Sequence, residues 1–324
     1  MDASLLSLAD RVAALATPSA VHPAADQIGE RVEAWARDQG LVLGDRDTSP
    51  LARGRFDRLA VRLFPESAPE RVELVARWLV WVFAFDDALD DGPLGGSATA
   101  VDGLYADLLR AMRRGHARPE GRPLELAVVG LWHDTAPQMS LTWRRRFFEH
   151  MEDHRSGCAE EAVNRRTGRI PALNRYPGLR RRAAAPFLFD LAEPALGVEL
   201  PSDVVAVPAW HTVLNGTADL ITWCNDVVSY PKEAGHGDIH NHVVLARGMY
   251  GFDRHEATGW VLDAIVHRAA EIEAAVRTLH AGLERLRLEP QRRAGVTAVL
   301  DRLLAAPRAH FDWLMESGRY TSLS

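Results

Sequence analysis

Apolar residues recur at three- and four-residue steps through segment after segment of this 324-residue chain, and no segment shows a convincing run of period-two alternation. That periodicity gathers apolar side chains on one face of a helix, whereas a half-buried strand needs a period of two, so the chain reads as all-α. Ile28, Val32, Trp35 and Ala36 mark one core-facing stripe, which Gly40 ends. Ser67-Ala-Pro-Glu70 reads as a capping box with Pro69 in the first turn, opening a helix that runs to Asp91 before Gly92-Pro93 stops it. Further helices are expected at about 98–114, 124–135, 140–162, 187–197 and 202–233, with breaks at Gly121-Arg-Pro123, Pro171, Pro177 and Pro201. Ile265, Ala269, Ile272, Val276, Leu279, Leu283 and Leu286 form a seam that packs one helix along another. With no linker-like stretch and no internal repeat, a single helical domain over 1–324 is the economical reading, with residues 1–20 as a flexible start.

Composition narrows the function. Hydrophobic residues make up 47%, charged residues 25%, and 38 Lys and Arg against 44 Asp and Glu leave a net charge of −6, so a concentrated basic face for nucleic acid is not expected. The N-terminal stretch has no basic region, and Asp10 and Arg11 interrupt it, so it reads as neither signal peptide nor membrane anchor. The longest apolar run, Trp78 to Phe85, is far too short to span a bilayer. Cys158 and Cys224 cannot build a disulfide framework or a zinc site, and a cytoplasmic setting fits them.

Two polar constellations sit on apolar helices. Asp86-Asp87-Ala-Leu-Asp90-Asp91 follows an unbroken apolar stretch, and at about 100° per residue Asp86 and Asp90 fall about 40° apart on one face. Carboxylates gathered there repel one another, and at a helix C-terminus they also oppose the macrodipole, so bound cations are expected. Oxygen ligands suit Mg²⁺. The second constellation is Asn225-Asp-Val-Val-Ser229-Tyr-Pro-Lys232-Glu233, in which Asn225, Ser229 and Glu233 lie within about 80° of one another and offer an amide oxygen, a hydroxyl and a carboxylate. Ala218, Ile221 and Thr222 continue that face, as Leu79, Val82 and Phe83 continue the face of Asp86.

In these residues the chain resembles the bacterial class I terpene synthases, whose DDxxD motif matches Asp86, Asp87 and Asp90 and whose (N/D)DxxSxxKE motif matches Asn225, Ser229, Lys232 and Glu233. The resemblance extends to the Trp35 helix, Pro65, Asn241-His-Val-Val244 and Trp313-Leu-Met-Glu-Ser-Gly-Arg-Tyr320. It implies a helical barrel, a cluster of three Mg²⁺ ions held by Asp86, Asp90, Asn225, Ser229 and Glu233, and a linear prenyl diphosphate as substrate, farnesyl first and geranylgeranyl second. The products would be a terpene hydrocarbon or alcohol and diphosphate. It further implies that Arg180, in Leu-Arg180-Arg181-Arg182-Ala183-Ala184-Ala185, senses the diphosphate, although Ala183 and Ala184 depart from the family's usual residues and the register could fall on Arg181 or Arg182. Asp87, Lys232, Arg319 and Tyr320 would contact substrate, Phe83 and Trp313 would face the cation, and residues 318–324 would form a lid. A homodimer is left open; nucleic acid and membrane insertion are not expected.

The rivals are a chain-elongating prenyl diphosphate synthase, which would carry a second aspartate-rich motif at Asn225, Ser229 and Glu233, and a noncatalytic diphosphate-binding helical protein. His150 and His154 read as a solvated helix face, and His236, His240 and His242 as an exposed loop.

Overall fold

The computed structural model describes residues 8–42, 49–90, 95–118 and 120–318, and among these every regular element is a helix. Eleven have eight residues or more: α1 (Ala25–Asp38), α2 (Phe56–Leu63), α3 (Pro69–Asp90), α4 (Ala98–Arg114), α5 (Pro123–Thr135), α6 (Leu141–Thr167), α7 (Tyr176–Ala183), α8 (Pro208–His236), α9 (His242–Tyr250), α10 (Arg254–Arg285) and α11 (Pro290–Glu316).

Several boundaries differ from the sequence reading for local reasons. Pro69 is the first residue of α3, and the Ala68 carbonyl accepts from the Arg71 and Val72 N–H groups, so Ala68 rather than Ser67 caps the helix. Pro177 starts no break: it occupies the first turn of α7, where its missing N–H costs nothing. The helix expected over 202–233 divides into a short turn, Ser202–Val205, and α8, because Pro208 begins a new first turn after an extended Val207. The helix expected over 187–197 is a 3₁₀ stretch, Pro186–Leu191, followed by Ala192–Leu196. Far from being flexible throughout, the start of the chain is packed from Leu8 onward: Leu8, Val12 and Leu15 are buried, and Ser19 donates to Asp312 through its backbone N–H at 2.8 Å and its hydroxyl at 2.6 Å.

Packing closes a ring. α2 lies against α3 and α11, α11 against α8, α8 against α7, α7 against α6, and the Pro186–Leu191 stretch joins α6 back to α3. The seam from Ile265 to Leu283 lies along α8, where α10 makes the most extensive helix–helix contact in the molecule. Beneath the ring is an aromatic cluster. Trp78 stands edge-on to Trp81, Phe147 and Phe187, and each of these side chains is completely buried. The indoles keep their polar edges satisfied: Trp78 Nε1 donates to Thr135 Oγ1 at 3.0 Å and Trp81 Nε1 to the Leu124 carbonyl at 2.8 Å. Burying rings of this size, with each N–H still bonded, contributes about 1.5–3 kcal/mol apiece. The cluster anchors the lower part of α3, and that fixes the direction in which its upper end, with Phe83 and Asp86, points.

Candidate active site

The ring of helices encloses a cavity of about 760 Å³. α3 lines it with Val75, Leu79, Val82, Phe83 and Asp86, a sequence of one-turn and two-turn steps on one face. α8 lines it with Ala218, Ile221, Thr222 and Asn225, then Lys232 and Glu233 at the rim. Thus both constellations expected from sequence stand above apolar walls, on different helices, at the same cavity. Asp87 is half-buried and outside the lining; the side chain of Asp90, together with Arg319 and Tyr320, lies outside the described residues.

Arg180 is the arginine of its triplet that lines the cavity. Its Nε donates to Asp226 Oδ1 at 3.0 Å and its Nη2 to Asn225 Oδ1 at 3.1 Å. Arg181 points instead to Asp219, shared with Arg268 of α10, and Arg182 reaches Glu160 near the surface. One residue of α7 is therefore tied to the ligand motif, while the next ties α7 to the scaffold. Asp226, to which sequence reasoning gave no role, is the hub of this corner and is wholly buried. Besides Arg180 it accepts from Tyr176 Oη at 3.2 Å and from the His242 N–H at 3.0 Å. Its position directly after Asn225 was the available signal. Desolvation opposes the charge on Arg180, but Asp226 more than compensates and holds its pKa above the ordinary value.

Asn241 caps α9 by accepting from the Val243 and Val244 N–H groups, and its Nδ2 donates to the Asp226 carbonyl at 2.6 Å and to Glu233 Oε2 at 2.9 Å. A helix cap thus positions the last carboxylate of the motif. Ser229 Oγ donates to the Asn225 carbonyl at 2.9 Å. Burial, reinforced by the nearby Asp226 charge, pushes the Glu233 carboxyl up to about 7. Such a carboxylate is ionised at neutral pH only at a cost, which a cation beside it would remove.

Among the described residues no three His, Cys, Asp or Glu side chains converge as a metal site. The donors that do converge are hard oxygens of mixed kind, Asn225 Oδ1, Ser229 Oγ and Glu233, faced across the cavity by Asp86. This set fits a cation that retains waters and bridges to phosphate oxygens, such as Mg²⁺, and is unsuited to zinc.

The helix break that carries Ala183, Ala184 and Ala185 also lines the cavity. Ala185 adopts φ +52°, a left-handed conformation costing an L residue roughly 1–2 kcal/mol, which its complete burial holds in place. Gly157 of α6 makes the close approach possible, since a Cβ there would lie 2.6 Å from the Ala183 nitrogen.

Three sequence readings need correction. His154 is not solvated: it is buried in the cavity wall, bonded to the Tyr105 hydroxyl and, through a ring N–H, to the Ala183 backbone, and burial drives its pKa down to about 3. His150 pairs with Asp190 at 2.7 Å. His240 and His242 are buried rather than exposed, because the loop after α8 folds inward to place Asn241 over Asp226. Trp313 does not line the cavity. Its Nε1 donates to the Gly54 carbonyl at 2.8 Å, and its ring lies 5.8 Å behind Phe83, whose other support is Phe56, stacked at 3.9 Å.

Comparison with known proteins gives a consistent result. A profile of terpene synthase family 2, C-terminal metal binding, matches residues 77–271. (−)-δ-Cadinene synthase of Streptomyces clavuligerus is 30% identical over 275 residues, covering 85% of this chain and 84% of the relative. (+)-T-Muurolol synthase ((2E,6E)-farnesyl diphosphate cyclizing) of Roseiflexus castenholzii is 29% identical over 306 residues, covering 93% and 90%. The crystal structure of a variant of cucumene synthase superposes with a TM-score of 0.82 at 27% identity, covering 95% of this chain and 99% of that one.

Proposed function

Because this chain belongs to terpene synthase family 2, a family of metal-dependent lyases acting on prenyl diphosphates, we propose that it takes (2E,6E)-farnesyl diphosphate, with geranylgeranyl diphosphate second, and releases a cyclic terpene and diphosphate. The observation that carries this reading is the pairing of one polar rim, built from Asp86, Asn225, Ser229, Glu233 and Arg180, with an apolar cavity of about 760 Å³ below it. That volume lies in the range of small-ligand sites. The name of the muurolol synthase relative supports the farnesyl chain length. The chain acts as one domain over 1–324.

Mg²⁺, three ions in number, would be held by Asp86, Asp90, Asn225, Ser229 and Glu233 and would supply Lewis-acid neutralisation of charge on the departing diphosphate. The side chains do the rest. Arg180, pre-oriented by Asp226, donates to a diphosphate oxygen as Asn225 Oδ1 exchanges its arginine bond for a ligand bond. Glu233, held by Asn241, gives up its proton as cationic charge arrives. Lys232 adds positive charge at the rim, and Arg319 and Tyr320 add donors from the C-terminal residues. Phe83 turns its ring toward the cavity, where a cation meets the negative face of the π-system, while the apolar lining keeps water from the cation.

The test is incubation of the purified protein with geranyl, farnesyl and geranylgeranyl diphosphate and Mg²⁺, with products identified by gas chromatography and mass spectrometry. Cyclic product from farnesyl diphosphate, lost in excess EDTA, is expected. Full turnover in EDTA, or no diphosphate release from any of the three, refutes the reading.

A further inference from the structure

Three histidines line the described part of the cavity, and they differ in what their nitrogens do. His154 has both engaged, by the Tyr105 hydroxyl and the Ala183 backbone. His240 is held between Asp238 at 3.2 Å and Asn164 at 3.4 Å, beside the polar rim. His310 is different. Its side chain is 93% removed from solvent, its Nδ1 is enclosed by protein, and that atom has no hydrogen-bond partner. The residue lies on the face of α11 that also presents Leu303 and Ala306 to the cavity, four and seven residues earlier, and its ring packs 5.3 Å from Trp313.

An unpartnered buried polar atom costs about 1–3 kcal/mol that a leucine at the same place would avoid. Structural needs do not explain it, since Trp313 is already bonded to Gly54 and offers His310 nothing polar. What the position does provide is a neutral imidazole in an otherwise apolar wall. Burial, with the positive charge of Arg180 adding to it, pushes its pKa down to about 3, so one ring nitrogen keeps a free lone pair at neutral pH. Prenyl hydrocarbon has no polar group to bond that nitrogen, but the cation it becomes has acidic C–H bonds next to the charged carbon.

We propose that His310 is the base that ends the reaction, a step that rests on the terpene synthase reading above. Its ring nitrogen takes a proton from the carbon adjacent to the final cationic centre; the C–H electron pair becomes the new C=C bond, and the imidazole becomes imidazolium. A carbocation is a far stronger acid than even a buried imidazolium, so the transfer runs downhill. The imidazolium, disfavoured in this wall, then passes its proton to an oxygen of the released diphosphate and returns to the neutral form. His310 would accordingly decide where the double bond of the product lies.

The experiment compares the parent with His310→Phe, which keeps an aromatic ring against Trp313 but has no lone pair, and His310→Gln, which keeps polarity and approximate volume but has no basic nitrogen. Each is given farnesyl diphosphate and Mg²⁺, with folding checked by circular dichroism, and product ratios and diphosphate release are read from the same reactions. Both variants should lower the share of the parent's principal olefin by about threefold or more, the remainder emerging as double-bond isomers or water-quenched alcohol. A folded His310→Gln with the parent's ratio overturns the proposal, as does a shift confined to His310→Phe, which would show that shape alone matters. Should His310→Phe not fold, His310→Gln decides. A parent whose principal product is an alcohol overturns it too. A parent that releases no diphosphate from any prenyl diphosphate refutes the enzymatic reading itself, a separate result.

Discussion

Asp226→Asn tests the corner on which the site is built. Asp226 is wholly buried, with Oδ1 accepting two donors of Arg180 and Oδ2 accepting from Tyr176 and from the His242 backbone. An amide has one acceptor and one donor. Whichever way it turns, its NH₂ faces donors where the carboxylate faced none, and the guanidinium loses its bonded counter-charge. Removing one member of a buried pair costs about 3–5 kcal/mol, a large part of the roughly 5–15 kcal/mol that holds a protein folded. At about 2 °C per kcal/mol for a chain this long, the melting temperature should fall by roughly 6–10 °C. Calorimetry in metal-free buffer measures this. The paired replacement Asp226→Leu with Arg180→Met should recover much of the loss, because neither charge is then buried alone, yet should remain unable to release diphosphate. An Asp226→Asn protein melting within about 2 °C of the parent would refute the reasoning, since a bond network of this kind cannot be lost at so small a cost.

Asp86→Asn and Asn225→Leu should each cripple Mg²⁺-dependent diphosphate release while leaving the circular dichroism spectrum intact; unfolding would show that these residues are structural instead. Phe83→Leu should fold and alter the product mixture, because the ring is supported by Phe56 on one side and lines the cavity on the other; an unchanged mixture would remove the ring from the cation's path. For His154, the pKa of about 3 in the folded state against 6.5 in the open chain means that the unfolded state binds the proton first, so its contribution to stability is lost as pH falls below 6.5. Between pH 7.5 and 5 that loss is about 2 kcal/mol, and denaturant titrations of His154→Phe should lack this part of the slope. Parallel pH profiles for the two proteins would contradict the buried neutral imidazole.

Much of this was legible in the chain. Helix periodicity identified the fold class because an amphipathic stripe is a local pattern, and the two ligand motifs were legible because their spacing on a helix fixes a shared face. What was not legible depended on which surface a neighbour covers. His154 and His240 sit in segments as polar as any solvated helix, and only the packing of α6 against α7 and the inward fold after α8 buries them. Trp313 was expected at the cation, but the sequence cannot show that Gly54 offers its carbonyl to the indole and turns the ring behind Phe83. Arg180 could not be told from Arg181 and Arg182 until Asp226 and Asp219 were placed on opposite sides of the same turn of helix.

Gly157 gives one side of the cavity a mechanical character. Where it meets α7, a Cβ would lie 2.6 Å from the Ala183 nitrogen and 2.7 Å from the Arg182 carbonyl carbon, so the two helices touch backbone to backbone with no side chain between them. Side-chain contacts yield by changing rotamer; this one has no rotamer to change, and close-packed interiors compress little. Heating or pressure should therefore deform the opposite walls before the 183–185 edge. That edge is a fixed reference against which the rest of the pocket breathes, and selectivity set along it should vary least with temperature.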